Sequence, residues 1–224
     1  MRTLLVVCLL LASVAAGRAA ESENELLNRA TAALTARDWP AAEGLYRQLT
    51  ARAPANWLYL QGLADALGGQ AKFPDAITGY DKAIPLALAT KDEKARFAAG
   101  AMLTQEGLIY LRQKKFAEGV AAVTKATQYA QNPGTAWFNV CAVAYNAGDM
   151  KAALAGCDKA IAVDPNKADA WFIKGSLMVG ESKPGPNGTM IPPKGTVEAL
   201  QKYLALAPNG PHVKDVQEML AVLK

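Results

Sequence analysis

The sequence predicts an all-α array of repeated helix pairs closed by a terminal capping helix. Three observations carry this prediction. The chain is similar to itself at a period of 34: Trp137 and Trp171 are 34 apart, in the contexts Thr135-Ala136-Trp137-Phe138 and Asp169-Ala170-Trp171-Phe172, and the pairs Trp39/Phe73, Ala42/Ala76 and Tyr46/Tyr80 keep the same spacing. A fixed period of that size marks stacked supersecondary units. Within each period a large apolar residue is followed four positions later by a small one, which places both on one helical face and lets a second helix come close. Finally, 51% of the 224 residues are hydrophobic but only 7% are aromatic, as close helix pairing through Ala and Gly requires.

Taken in order, the first element is of a different material. Arg2 supplies a positive start, Leu4 to Ala12 is an apolar run broken only by Cys8, and Ser13 to Ala20 is small and Ala-rich. Residues 1–20 therefore read as a secretory signal peptide. The apolar run is too short for a membrane span, which needs about 20 residues. Cleavage after Ala16, Gly17 or Ala19 leaves small residues near the cut in each case. Cys8 follows Val6 and Val7 rather than small residues, which argues against a lipid anchor. Removal after Ala19 takes away Arg2, Arg18 and Cys8, leaving a charge of 4 − 2 = +2 and the cysteines Cys141 and Cys157. The expected location is the periplasm or the exterior.

The array follows over residues 21–224. First helices open with Leu26, Leu60, Leu103, Trp137 and Trp171, with Ala30, Ala64, Gly107, Cys141 and Gly175 as their small partners. Breaks fall near Arg37-Asp38, Gln70 to Lys72, Lys114-Lys115 and Gly148-Asp149. Second helices then open with Trp39, Phe73, Phe116 and Met150, followed by small Ala42, Ala76, Gly119 and Ala153 and by Tyr46, Tyr80, Val123 and Cys157. Pro54 and Pro165 close their units, since proline cannot continue a helix. The second and third blocks are separated by 34 + 9, so the segment around Ala87 to Arg96 is long. The repeats lie near 23–55, 57–90, 100–133, 134–167 and 168–211. The fifth is interrupted by an insertion at 181–195 that holds Pro184, Pro186, Pro192, Pro193 and three glycines, which predicts a loop. Val213, Val216, Met219, Leu220 and Leu223 recur at helical spacing over 212–223, the cap that a repeat array needs over its last apolar face.

These units resemble the tetratricopeptide repeat family, best in Trp137 to Pro165, with its opening Trp, Gly148-Asp149 turn, Ala153, Ala160 and closing proline. The resemblance covers about residues 22–211. Cys141 departs from a usual Gly, and Cys157 from a usual aromatic. The family implies a right-handed superhelical solenoid of about five helix-turn-helix repeats, with first helices lining a concave face that binds a peptide or partner protein. Residues at the matching first-helix positions are Gln61, Asp65, Gln105, Arg112, Phe138, Asn139, Tyr145, Asn146 and Phe172. Asn139 stands where peptide-binding members often carry an Asn that contacts a peptide backbone. The Lys and Arg residues that clamp a terminal carboxylate in chaperone-binding relatives are missing from the matching positions. Phe138 and Phe172 fit either a groove or the packing between neighbouring helices.

Composition narrows the function classes. Twenty-four Lys and Arg against twenty Asp and Glu give a formal +4, too weak to predict a nucleic-acid or membrane partner. A single His, His212, rules out a multi-His metal cage and offers no evident catalytic partner; it reads as a surface residue. No Gly-Lys-Ser/Thr phosphate loop and no His-Glu-x-x-His helix occurs. No catalytic residue, metal, cofactor or small-molecule substrate is therefore expected. Cys141 and Cys157 allow a disulfide, two buried thiols, or a redox or metal role that would lack a Cys-x-x-Cys. Asn187-Gly188-Thr189 matches a glycosylation acceptor and equally an Asn-Gly turn. The expected function is an envelope scaffold or adaptor. The alternatives are an assembly subunit of the outer-membrane or pilus assembly type and, third, a thiol-dependent enzyme.

Overall fold

The computed structural model describes residues 22–223. The signal-peptide reading and Cys8 lie outside the described residues. Within them the chain forms eleven α-helices: α1 (Glu23–Thr35), α2 (Trp39–Arg52), α3 (Trp57–Gly69), α4 (Phe73–Ala89), α5 (Glu93–Arg112), α6 (Phe116–Ala126), α7 (Pro133–Ala147), α8 (Met150–Val163), α9 (Ala168–Gly180), α10 (Thr196–Leu206) and α11 (Val213–Val222). Trp39, Phe73, Phe116 and Met150 each begin a second helix, as the periodicity predicts.

The turns inside the first four units share one backbone solution. Arg37, Ala71, Lys114 and Gly148 adopt φ of 58°, 59°, 60° and 76°. The next N–H in each case reaches back to a carbonyl five residues earlier: Asp38 to Ala33, Lys72 to Leu67, Lys115 to Tyr110 and Asp149 to Ala144, all at 2.9 Å. This is the Schellman closure of a helix end, which favours glycine at the left-handed position. Gly148 alone of the four supplies it. Asp38 and Asp149 then cap the following helix, each accepting from the backbone N–H three residues on.

The chain divides into two compact units, one ending at Gly79 and the other beginning at Tyr80, so that α4 contributes to both. The first unit packs Leu26, Ala30, Ala42, Tyr46, Leu49, Tyr59 and Ala66 into one core. At its surface the Glu43 carboxylate accepts from Lys72 Nζ at 2.7 Å, Gln70 Nε2 at 2.8 Å and Arg47 Nε at 2.9 Å. The Lys72 contact first, then those of Gln70 and Arg47, holds the Glu43 carboxyl down at about 2. Glu43 thereby ties α2 to the turn between α3 and α4.

In the second unit each helix packs on its successor from α5 to α11, and α5 touches α7, α7 touches α9 and α9 touches α11. Small residues set these distances. A Cβ on Gly156 would stand 2.6 Å from the backbone N of Cys141, so α8 lies directly against α7. That approach brings the Cα atoms of Cys141 and Cys157 to 4.8 Å and their sulfurs to 2.09 Å, a disulfide between the two helices of the fourth unit. Of the readings open for the two cysteines, the structure holds the disulfide. It sits in a core with Ala144, Ala153, Ile173 and Leu177.

Three features differ from the sequence reading. The nine extra residues between the second and third units lengthen helices rather than a connection: α4 has 17 residues and α5 has 20, with Asp92 Oδ1 capping Ala95 N at 2.9 Å. The helix that carries Leu103 consequently starts at Glu93. The 181–195 insertion contains a short antiparallel pair, β1 (Lys183–Pro184) with β2 (Met190–Ile191), where Lys183 opposes Ile191. His212 is half-buried rather than a free surface residue. Its ring stacks on Phe172 at 3.9 Å with the planes 3° apart, and its N–H donates to Tyr203 Oη at 2.9 Å. The cap α11 is thus seated on the fifth unit by Leu200, Tyr203, Val216 and Leu223 and by this stack.

A candidate partner-binding cleft between first helices

In the second unit, neighbouring first helices α5 and α7 enclose a cleft of about 240 Å³. Phe97, Gly100, Ala101 and Thr104 line it from α5, Asn132, Thr135, Ala136 and Asn139 line it from α7 and its cap, and Ala126, Ala130 and Gln131 complete the lining. On both helices the lining residues fall at i, i+3, i+4 and i+7, one helical face. Gly100, Ala101, Ala126, Ala130 and Ala136 keep much of the lining small, Phe97 adds one aromatic ring, and Thr104, Gln131, Asn132, Thr135 and Asn139 supply hydroxyls and amides. No Asp, Glu, Lys or Arg is among the lining residues.

Several of those polar groups are already engaged. Thr104 Oγ1 donates to Gly100 O at 3.0 Å, and Asn132 Oδ1 accepts from Thr135 N at 2.9 Å as the α7 cap. Asn139 is half-buried, and among the described residues no protein group is recorded as a hydrogen-bond partner of its amide. A primary amide offers two donors and an acceptor, the complement of an extended peptide backbone.

The structure distributes the sequence-predicted residues unevenly. Asn139 lies in the cleft. Phe138 is half-buried against the disulfide core, with Lys167 Nζ 5.8 Å from its ring centre. Phe172 belongs to the cap packing under His212, so its ring face is occupied from within the chain, for the reason that α11 needs an apolar seat. Tyr145 and Asn146 are exposed at the end of α7, and Gln105 and Arg112 are exposed on α5. Gln61 and Asp65 are half-buried on α3, in the first unit, and are not part of this cleft. Thr104, Gln131, Asn132 and Thr135 were not among the predicted residues; the spacing of Asn132 and Thr135 with Asn139 is visible in the sequence, whereas Thr104 lies on a different helix.

A tetratricopeptide repeat profile matches residues 27–93 and 104–168, more than half of the chain. The chain belongs to the tetratricopeptide repeat family. Its fold is accordingly an all-α tetratricopeptide solenoid, a fold that supports protein–protein interaction and is typical of scaffolds rather than enzymes. Solved structures of similar fold include YrrB, described as a tetratricopeptide protein with an unusual peptide-binding site, at 15% identity and a TM-score of 0.63, covering 88% of this chain and 92% of that one. They also include the MamA protein, at 17% identity and a TM-score of 0.62, covering 86% and 94%. PilF of Pseudomonas aeruginosa aligns at 16% identity and a TM-score of 0.61, covering 88% and 82%. Among curated proteins, no sequence matches significantly. Among the described residues, no helix of the array is long and apolar enough to cross a membrane, and no group of three or more His, Cys, Asp or Glu gathers as a metal site.

Proposed function

We propose that this tetratricopeptide array is an exported scaffold of the cell envelope that holds an extended, uncharged stretch of a partner protein in the cleft between α5 and α7. The observation that carries the reading is the cleft itself: a lining of small and uncharged polar residues with the half-buried amide of Asn139. An extended chain brings a row of N–H and C=O groups that need partners; Asn139 and Gln131 supply donors and acceptors, and the Thr104 hydroxyl oxygen is a further acceptor. The absence of charged lining residues favours recognition of backbone over side-chain charge. Export is supported by the Arg2-apolar-small pattern of residues 1–20 and by the Cys141–Cys157 bond, which persists in oxidising compartments. The scaffold performs no chemistry of its own.

Binding of the partner segment by wild type and by an Asn139→Ala variant, measured by calorimetry, tests the assignment. The amide's hydrogen bonds are worth about 1–2 kcal/mol together, so affinity should fall roughly ten-fold or more. Equal affinity of the two proteins would remove Asn139 from the site and the cleft reading with it.

A further inference from the structure

Corresponding positions of successive units can be compared contact by contact. Lys174, three residues after the opening Trp171 of its unit, pairs with Asp158 of the preceding second helix at 2.6 Å, 16 residues upstream. The same position in the third unit, three after Leu103, is Glu106. The residue equivalent to Asp158, one after the bulky residue of the second helix, is Asp81, one after Tyr80. The separation from Asp81 to Glu106 is 16 plus the nine inserted residues. Where the later interface has a cation facing an acid, the earlier one has two acids, and Glu106 hydrogen-bonds Asp81. In the fourth unit the position is filled by apolar Val140, which is 4% exposed; Glu106 is 5% exposed and is therefore a buried carboxyl at a position that another unit fills with an apolar side chain.

The groups facing Glu106 are Asp81 from α4, Lys125 from α6 and, one turn along α5, Tyr110. Tyr110 in turn meets the Lys115 ammonium 5.9 Å from its ring centre and the charge of Glu118. Among the described residues, Lys125 is the cation that opposes the acids at Glu106. Burial first and the Asp81 charge second push the Glu106 carboxyl up to about 7. Its proton is what permits a hydrogen bond between two carboxyls, because two carboxylates both accept and neither donates.

We propose that the Asp81–Glu106 carboxyl pair is a proton-dependent clasp that holds the C-terminal part of α4 on α5 while Glu106 is protonated and releases it when the proton leaves. Both residues lie in the second unit, and α5 also carries one wall of the cleft, so the state of the clasp bears on the helix that presents Phe97, Ala101 and Thr104. The clasp stands on the interface geometry and is independent of whether the cleft binds a peptide.

Amide hydrogen exchange of the wild-type protein from pH 5.5 to 8.5, corrected for the intrinsic rate, tests this. A carboxyl shifted from its ordinary range to about 7 loses roughly ten-fold in closing equilibrium between pH 6 and pH 8, so segments 80–89 and 99–110 should lose about ten-fold in protection. Segment 168–180, held by Lys174–Asp158, should stay level. Glu106→Gln, which keeps the shape and cannot lose a proton, should flatten the profile. If that variant fails to fold, Asp81→Asn should move the midpoint to lower pH. Wild-type protection that is level across the range, a loss shared equally by 168–180, or an unchanged profile in the folded variant would each overturn the clasp.

Discussion

Gly156→Ala puts the close-pairing account to a quantitative test. Alanine is the better helix former by about 1 kcal/mol, so on an open helical face the change stabilises. At Gly156 the new methyl carbon would meet the Cys141 backbone N at 2.6 Å and its Cα at 3.0 Å. Backbone cannot rotate away as a side chain does. Reaching an ordinary 3.4 Å requires α7 and α8 to separate by about 0.8 Å, while the adjacent disulfide resists separation. Overpacking of this kind costs about 1–3 kcal/mol, and a backbone obstacle next to a covalent tie belongs at the upper end. The net expectation is a loss of about 2 kcal/mol. Gly44, whose added Cβ meets nothing within 4 Å, is the matched control and should gain up to about 1 kcal/mol on the same change. Urea unfolding followed by circular dichroism reads both, with midpoints moving in opposite directions. A Gly156→Ala protein as stable as wild type would refute the claim that α7 and α8 are set by backbone contact.

Three further outcomes are expected. Glu43→Gln should cost about 1 kcal/mol at neutral pH. In wild type the Glu43 carboxyl is held at about 2, below its unfolded value, so its contribution is full above the ordinary carboxylate range and lost as pH falls towards 2; acid-unfolding curves of the variant should lack that component. Lys114→Gly should raise the urea midpoint by the equivalent of about 1 kcal/mol, because the left-handed φ of 60° costs an L side chain that much and the Lys114 side chain is exposed. Reducing the Cys141–Cys157 bond should lower stability by about 3 kcal/mol in the chain-entropy account, read as the gap between midpoints with and without reductant.

Much of the fold was legible in the sequence because each unit is local. A helix pair is specified by a large residue, a small one four later and a turn, and Trp137, Cys141 and Gly148-Asp149 contain that information within a dozen positions. The start of α5 was not legible: the segment Ala87 to Arg96 carries no proline or glycine, and only the Asp92 cap marks where it joins a helix. His212 was misread for another reason. Its place is set by Phe172 and Tyr203, which the chain brings to it only once α10 and α11 have folded. The site divides the same way. Asn139 was reached through its register in the repeat, whereas the rest of the cleft needs two helices side by side, α5 and α7, before Thr104 and Thr135 share a surface. Glu106 needed the same step: an acid at a core position is visible alone, but the second acid opposite it appears only when units are superposed.

On the proposed function, the α5–α7 cleft is the place where a partner is held. The most direct test of this is a photo-crosslinking amino acid placed singly at Ala101 and Thr135 in the cleft and at Ala155 and Lys159 on exposed positions of α8, in protein expressed in its native cell. A discrete crosslinked partner is expected from Ala101 and Thr135, lost when Asn139→Ala is added, and none from the α8 positions. Adducts confined to α8, or cleft adducts indifferent to Asn139, would contradict it.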